Sequence, residues 1–280
     1  MRRTLLSLAL CGALMSSATA AEAAPEPPPS GPSPSGQLFR YGTHPRQNVT
    51  VYGDSGPSLV ILHGGYWSKD TDWSGWARWF AARGFTVYDT DYRLTSDAAW
   101  PAQRDDVLAA LRWVQRRHGG ALPVVLGSSA GGHLALHAGA YGAGRARVRG
   151  VVALSPVASP YRAWRDGGAR GASAERRELR RAAERLAGCV PGAGPGCTAR
   201  WDDLSVTSHA SGADDAPLLL VHSAEDFVPP VHSGELARVQ RGLGLADVTT
   251  RTTSGPAHGG PLLRTPGTSR SVLRWLRAHA

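Results

Sequence analysis

Lysine is almost missing from this chain of 280 residues: Lys69 stands alone among 31 basic side chains, and the rest are Arg. Charged residues of either sign make up only 19%. Cysteine occurs three times, which excludes a scaffold built from many disulfides. No apolar run approaches the roughly 20 residues that a spanning helix needs, which excludes an integral membrane protein of that type. What is present is core material. Apolar residues make up 42% and nine residues are Trp, so wholesale disorder is excluded as well. The length gives a prior of one or two domains, and α/β folds often use about 200–250 residues as one. The net charge of +9 could serve an anionic partner such as nucleic acid or a cell envelope, or it could reflect a general bias toward Arg. No nucleic-acid recognition motif accompanies it, so no nucleic-acid partner is assigned.

The first residues read as an address. Arg2 and Arg3 form a short positive region, Leu5 to Met15 is an apolar stretch, and Ala18-Thr19-Ala20 fits a small-x-small cleavage site. We expect residues 1–20 to be a removed signal peptide and the protein to act outside the cytoplasm. Leu10 precedes Cys11 where a lipoprotein signal would carry a small residue, which argues against a lipid anchor. Residues 21–36 hold six prolines among Ser, Gly and Ala, with no apolar face to bury, so they are expected to be a mobile spacer. The folded unit then runs over 37–280.

Strand and helix patterns alternate through this unit. Ser58–Leu62, Phe85–Tyr88, Pro123–Leu126, Gly150–Leu154, Pro217–His222 and Asp247–Thr253 are short apolar or β-branched runs. Helical periodicity falls over Trp73–Arg83, Pro101–His118, the stretch through Leu136, Val231–Gly242 and Thr268–Ala280. Alternation of this kind predicts an α/β fold with a mostly parallel sheet and helices on both faces. Residues 159–208 break the rhythm. They contain no strong strand and eight Arg between 162 and 185, and they read either as a lid over the carboxyl edge of the sheet or as a solvated basic helix. Once the signal is gone, Cys189 and Cys197 remain, separated only by turn-forming residues. An exported chain can join them as a disulfide; the alternative is two unpaired thiols. Two Cys alone are too few for a metal site.

Gly-x-Ser-x-Gly occurs once, at Gly127-Ser128-Ser129-Ala130-Gly131. The pattern alone is weak, but here it lies between an apolar strand and a helix, where a sharp turn exposes the serine. Ser129 is the candidate nucleophile. A serine hydroxyl needs an adjacent base, and His258 sits in a Gly-rich loop after the last strand. His63, His133 and His222 lie in or beside core elements and read as structural. Asp226, in the loop after the strand ending at His222, is the candidate carboxylate that orients the base, with Glu225 as its rival. The order Ser129, Asp226, His258 is the one α/β-hydrolases use. Donors for a developing oxyanion are expected from the backbone N–H of Ala130 and, in His63-Gly64-Gly65-Tyr66-Trp67, from Gly65 and Tyr66.

These residues resemble an α/β-hydrolase of the esterase/lipase group. His63-Gly64-Gly65-Tyr66-Trp67 is similar to the His-Gly-Gly-x-Trp element of arylformamidases and of feruloyl and acetyl-type esterases. Asp91-Tyr92-Arg93-Leu94, Trp100 to Val107, and His222 to Pro229 resemble the same group. The resemblance covers roughly residues 58–275. It implies about eight strands, a Ser-His-Asp triad, an acyl-enzyme and no cofactor. Three departures stand out. Tyr66 occupies the last position of what would be a His-Gly-Gly-Gly loop, Ser223 replaces the Gly expected after His222, and the Arg-rich, Cys-bearing insertion is unlike a cytosolic arylformamidase. Three functions therefore compete. One is a secreted serine hydrolase of small or medium acyl esters. The second is an amide hydrolase, arylformamidase-like or a peptidase, with the same triad. The third is a non-catalytic binding protein on this scaffold. A small-molecule ester is the expected partner, and the sequence gives no oligomeric state.

Overall fold

A computed structural model describes residues 35–280. The expected signal peptide, residues 1–20, and nearly all of the spacer 21–36 lie outside the described residues. Apolar runs become strands where expected: β3 (Ser58–Leu62), β4 (Thr86–Thr90), β5 (Val124–Ser128), β6 (Gly150–Leu154), β7 (Leu218–Ser223) and β8 (Val248–Thr253). Two strands were not read from the sequence, β1 (Gln37–Arg40) and β2 (Asn48–Tyr52). Together they form one sheet in the order β1-β2-β4-β3-β5-β6-β7-β8. The pairs β1/β2 and β2/β4 are antiparallel, and every pair from β4 across to β8 is parallel.

Strands β3, β5, β6 and β7 are buried from end to end, because helices cover both faces of the sheet. Successive side chains point to opposite faces. Val60 and Leu62 of β3 therefore join the core under α2 (Ala102–Arg117), α3 (Ala130–Ala140) and α7 (Val231–Gly242), while Leu59 and Ile61 meet α1 (Ser74–Ala81) and α8 (Thr268–His279). At the far edge β8 reads Val-Thr-Thr-Arg-Thr-Thr and is half exposed. Its polar, charged character suits an open sheet edge.

Residues 159–208 fold into three helices, α4 (Pro160–Gly167), α5 (Ala174–Ala187) and α6 (Pro195–Leu204). Leu179, Ala182, Ala183, Leu186 and Ala187 make an apolar stripe on α5 that is continuous with the main core. The arginines around the stripe are anchored. Arg162 pairs with Glu235 on α7, Arg180 lies 4.1 Å over the Trp164 ring, and Arg181 and Arg185 share Glu178. Asp203 on α6 accepts from Trp100 Nε1 at 2.6 Å and from Arg104 at 2.9 Å, which docks this region on the start of α2. Cys189 and Cys197 are joined as a disulfide with Cα atoms 6.1 Å apart, linking the end of α5 to the first turn of α6.

Candidate active site

Ser129 occupies the single residue between β5 and α3, with φ 53° and ψ −114°. A non-glycine residue rarely takes such values, and they turn its side chain out of the strand line. Its flanking glycines are required by space. A Cβ on Gly127 would stand 2.2 Å from the Gly131 carbonyl oxygen, and one on Gly131 would stand 2.2 Å from that of Leu62. The Ser129 N–H donates to the Leu154 carbonyl at 2.8 Å, fixing the turn against β6.

The loop after β8 brings His258 to Asp226. His258 Nδ1 lies 2.7 Å from Asp226 Oδ1, and that oxygen also accepts from Val228 N–H at 2.9 Å. The Asp226 side chain is fully buried, whereas His258 is about a quarter exposed, at 23%. Glu225 points to solvent, so of the two neighbouring acids only Asp226 meets the imidazole. A neutral ring that donates from Nδ1 keeps Nε2 free to accept a proton. The same loop approaches the serine turn, because a Cβ on Gly259 would stand 2.5 Å from Ser128 Oγ.

The loop 63–67 lies on the other side of the serine. A Cβ on Gly64 would stand 3.3 Å from Ser129 Cβ. Gly65, Tyr66 and Trp67 follow with φ of 108°, 59° and 55°, three consecutive left-handed residues that redirect the backbone. Trp67 pins the loop from below. It is wholly buried, and its ring packs edge-on against His133 of α3 at 5.3 Å.

The hydrogen-bond partners of the other histidines of interest are neutral, although the Asp91 carboxylate stands 3.7 Å from His63 Nε2. His63 stacks on Tyr92 at 4.4 Å, with Nδ1 2.7 Å from the Gly64 carbonyl. His133 Nε2 meets the Leu204 carbonyl at 2.8 Å, and His222 Nδ1 meets Ser233 Oγ at 3.0 Å. Burial lowers the pKa of His63 and pushes His133 and His222 each down to about 4. Burial therefore disfavours the charged form of each ring. Among the described residues, no group of three or more His, Cys, Asp or Glu is arranged to hold a metal ion, and no helix is long and apolar enough to cross a membrane.

Residues 50–149 match the family described as BD-FAE. Esterase B from Lactobacillus rhamnosis superposes with a TM-score of 0.68 at 23% identity, over 93% of this chain and 87% of its own. The chain has the α/β-hydrolase fold. Esterase 2 from Thermogutta terrifontis, phosphonylated by sarin, gives a TM-score of 0.66 at 20% identity, over 88% of this chain and 94% of its own. A truncated carbohydrate esterase from gut microbiota gives 0.69 at 18%, over 90% and 99%. No curated protein sequence matches.

Two residues near these loops went unread in the sequence. Phe227 lies between Tyr66 and His258, its ring 6.2 Å from the first and 4.1 Å from the second. Ser155 follows β6 with φ 48°, and its hydroxyl donates to Asp226 Oδ2 at 2.5 Å. The available signal was position, since both stand just past the carboxyl end of a parallel strand, where open α/β sheets build their sites. A cavity of about 480 Å³ opens beside Phe227, lined by Gly171, Ser173, Glu175, Arg176, Glu225, Asp226, Phe227 and Pro256.

Proposed function

We propose that this protein is a serine hydrolase that cleaves carboxylic esters of small or medium acyl groups, with Ser129, His258 and Asp226 as its triad. The observation that carries the reading is the His258–Asp226 contact at 2.7 Å, on loops that meet the strained turn at Ser129. In this reaction Ser129 Oγ attacks the ester carbonyl carbon as His258 Nε2 takes its proton. Asp226 stabilises the imidazolium. The backbone N–H groups of Ala130, Gly65 and Tyr66 receive the negative oxygen, where each such donor contributes roughly 3–4 kcal/mol to lowering the barrier. The carbon–oxygen bond of the ester then breaks, and His258 returns the proton to the leaving alcohol. Water, deprotonated by the same ring, attacks the acyl-serine and releases the acid.

The neighbours lend support to the substrate class. Structures of esterase B are described with a C4-C4 tributyrin phosphonate and a C6-C4 inhibitor. The disulfide favours an oxidising compartment, and with the expected signal peptide it supports a secreted enzyme. The test is hydrolysis of p-nitrophenyl acetate, butyrate and octanoate by the mature protein and by Ser129→Ala. Turnover of the shorter esters should fall by a factor on the order of 10³ or more in the variant. Equal rates in the two proteins would overturn the assignment. Preference for an aryl formamide over the matching acetate would move it to amide hydrolysis.

A further inference from the structure

The end of β6 gathers the three parts of the site. Leu154 holds the Ser129 N–H on its carbonyl oxygen at 2.8 Å. The next residue, Ser155, is fully buried and sits at φ 48°, a left-handed value that a non-glycine residue holds only where its surroundings demand it. Its own N–H is fixed to the Val221 carbonyl of β7 at 2.7 Å. Its hydroxyl makes two bonds. It donates its one proton to Asp226 Oδ2 at 2.5 Å and accepts from the Gly259 N–H at 2.9 Å. Gly259 directly follows His258.

We propose that Ser155 is a positioning residue for the reaction, its hydroxyl tying the carboxylate of Asp226 to the backbone of the loop that carries His258. The inference rests on the triad read above. Asp226 Oδ1 is used by His258 and Val228, so Oδ2 is the oxygen through which the carboxylate can be held against rotation. A hydroxyl that gives its proton to a carboxylate becomes a better acceptor for the amide behind it, so the chain Gly259 N–H to Ser155 O–H to Asp226 strengthens along its length. It fixes the distance between acid and base from both sides. The remaining titratable groups around the pair are His222, Tyr66, Glu225, Arg176 and Glu175; none of them bonds to Oδ2.

The test measures kcat and KM for p-nitrophenyl butyrate from pH 5 to 9 in the mature wild-type protein and in Ser155→Gly, Ser155→Cys and Ser129→Ala, with melting temperatures for each. Glycine accepts the left-handed backbone and removes the hydroxyl together with its methylene. We expect Ser155→Gly to lose about 10- to 100-fold in kcat, the range of one hydrogen bond to a charged group, with KM changed less than about threefold. The acid limb of its profile should move to higher pH. Without the donor, Asp226 holds a proton more tightly when protonated and holds the imidazolium more tightly when ionised, and both effects delay release of the base. Ser155→Cys keeps a weak donor and should fall between the two. It carries the test if the glycine variant does not fold. A lower melting temperature with an unmoved acid limb and a wild-type kcat would overturn the proposal, leaving a purely structural serine. Retention of activity in Ser129→Ala would instead sink the triad reading, a result distinct from failure of the role given to Ser155.

Discussion

Imidazoles occur in two settings in this molecule, and the contrast separates chemistry from packing. Under the cap formed by α4, α5 and α6, His133 and His137 stand four residues apart on α3, with both Nε2 atoms turned to the Leu204 carbonyl at 2.8 and 3.2 Å. Both are fully buried among Trp67, Trp100 and His209, and burial drives their pKa values down. A ring so placed can neither reach a substrate nor hold a charge. His258 keeps one edge open to solvent and the other on a carboxylate, which is the arrangement a general base needs. What distinguishes the two settings is the partner. A carbonyl fixes a neutral ring, whereas a carboxylate welcomes a charged one.

The sharpest way to break this contrast is to truncate one ring from each setting. His258→Ala should lower kcat/KM for a short p-nitrophenyl ester by a factor on the order of 10³ or more, with the melting temperature nearly unchanged. His137→Ala should do the reverse. It should cost about 2–4 kcal/mol of stability through the cavity and the lost contact, with activity per folded molecule within about threefold. Denaturant titrations and steady-state rates on both variants check the pair. A stable, active His137→Ala would show that the buried cluster holds nothing in place.

Acidification probes the same division without mutation. His133 and His222 are pushed down to about 4 and His232 to about 3, all by burial. The folded chain therefore keeps these rings neutral, while the unfolded chain takes up protons below about pH 6.5. Their contribution to stability is complete above that pH and is lost as pH falls toward 4. Asp89 acts in the opposite sense. Burial, first of all, and then Asp91 and Asp72 raise it to about 7, so its stabilisation is present at low pH and fades as pH rises through 7. Burial depresses His63 and His137 as well, so the lowered histidines outnumber the one raised carboxyl, and the melting temperature should drop steeply between pH 6.5 and 4. A flat profile over that interval would contradict the burial of these rings.

Much of this was readable from sequence because the physics was local. Strands β3, β5, β6 and β7 are covered on both faces, so each had to be an unbroken apolar run. The turn at Ser129 is crowded enough to demand its glycines. Other features arise only from contact. β1 is an exposed edge strand, and Gln37–Arg40 carries no alternation to find; the β-branched alternation of β2, with Val49, Val51 and Tyr52 buried, was legible and was passed over. The inner stripe of α5 is mostly alanine, hidden between arginines. Asp226 and Glu225 are adjacent, and the choice between them appears only when His258 arrives from 32 residues away. Ser155 meets Asp226 across 71 residues and Gly259 across 104, spans that no local pattern reports.

The cap offers a milder comparison, between a covalent tie and a charged one. The disulfide spans eight positions in sequence, from Cys189 to Cys197. For a loop that short, chain entropy predicts a loss of about 2–3 kcal/mol when both residues are replaced by Ser. Reduced stability in denaturant, with hydrolysis of short esters retained at low temperature, is the expected result. Wild-type stability in the double variant would mean that the docking contacts of Asp203 already hold the cap alone.

The charged tie is weaker. Glu178 reaches Arg181 and Arg185 along the exposed face of α5, at 2.5 and 2.8 Å. The two arginines pull its carboxyl below the usual carboxylate range, but water and salt screen such pairs, and exposed examples contribute roughly 0.2–1 kcal/mol. Glu178→Gln should therefore lower stability by less than about 1 kcal/mol, and the difference from wild type should vanish near 1 M salt, where the screening length shrinks to about 3 Å. A double-mutant cycle with Arg181→Ala, read by thermal melting at two salt concentrations, measures it. A loss that persists in salt would mean that the Glu178 side chain acts by packing on α5, and the arginine face of the cap would then be held by its hydrocarbon stems and not by its charges.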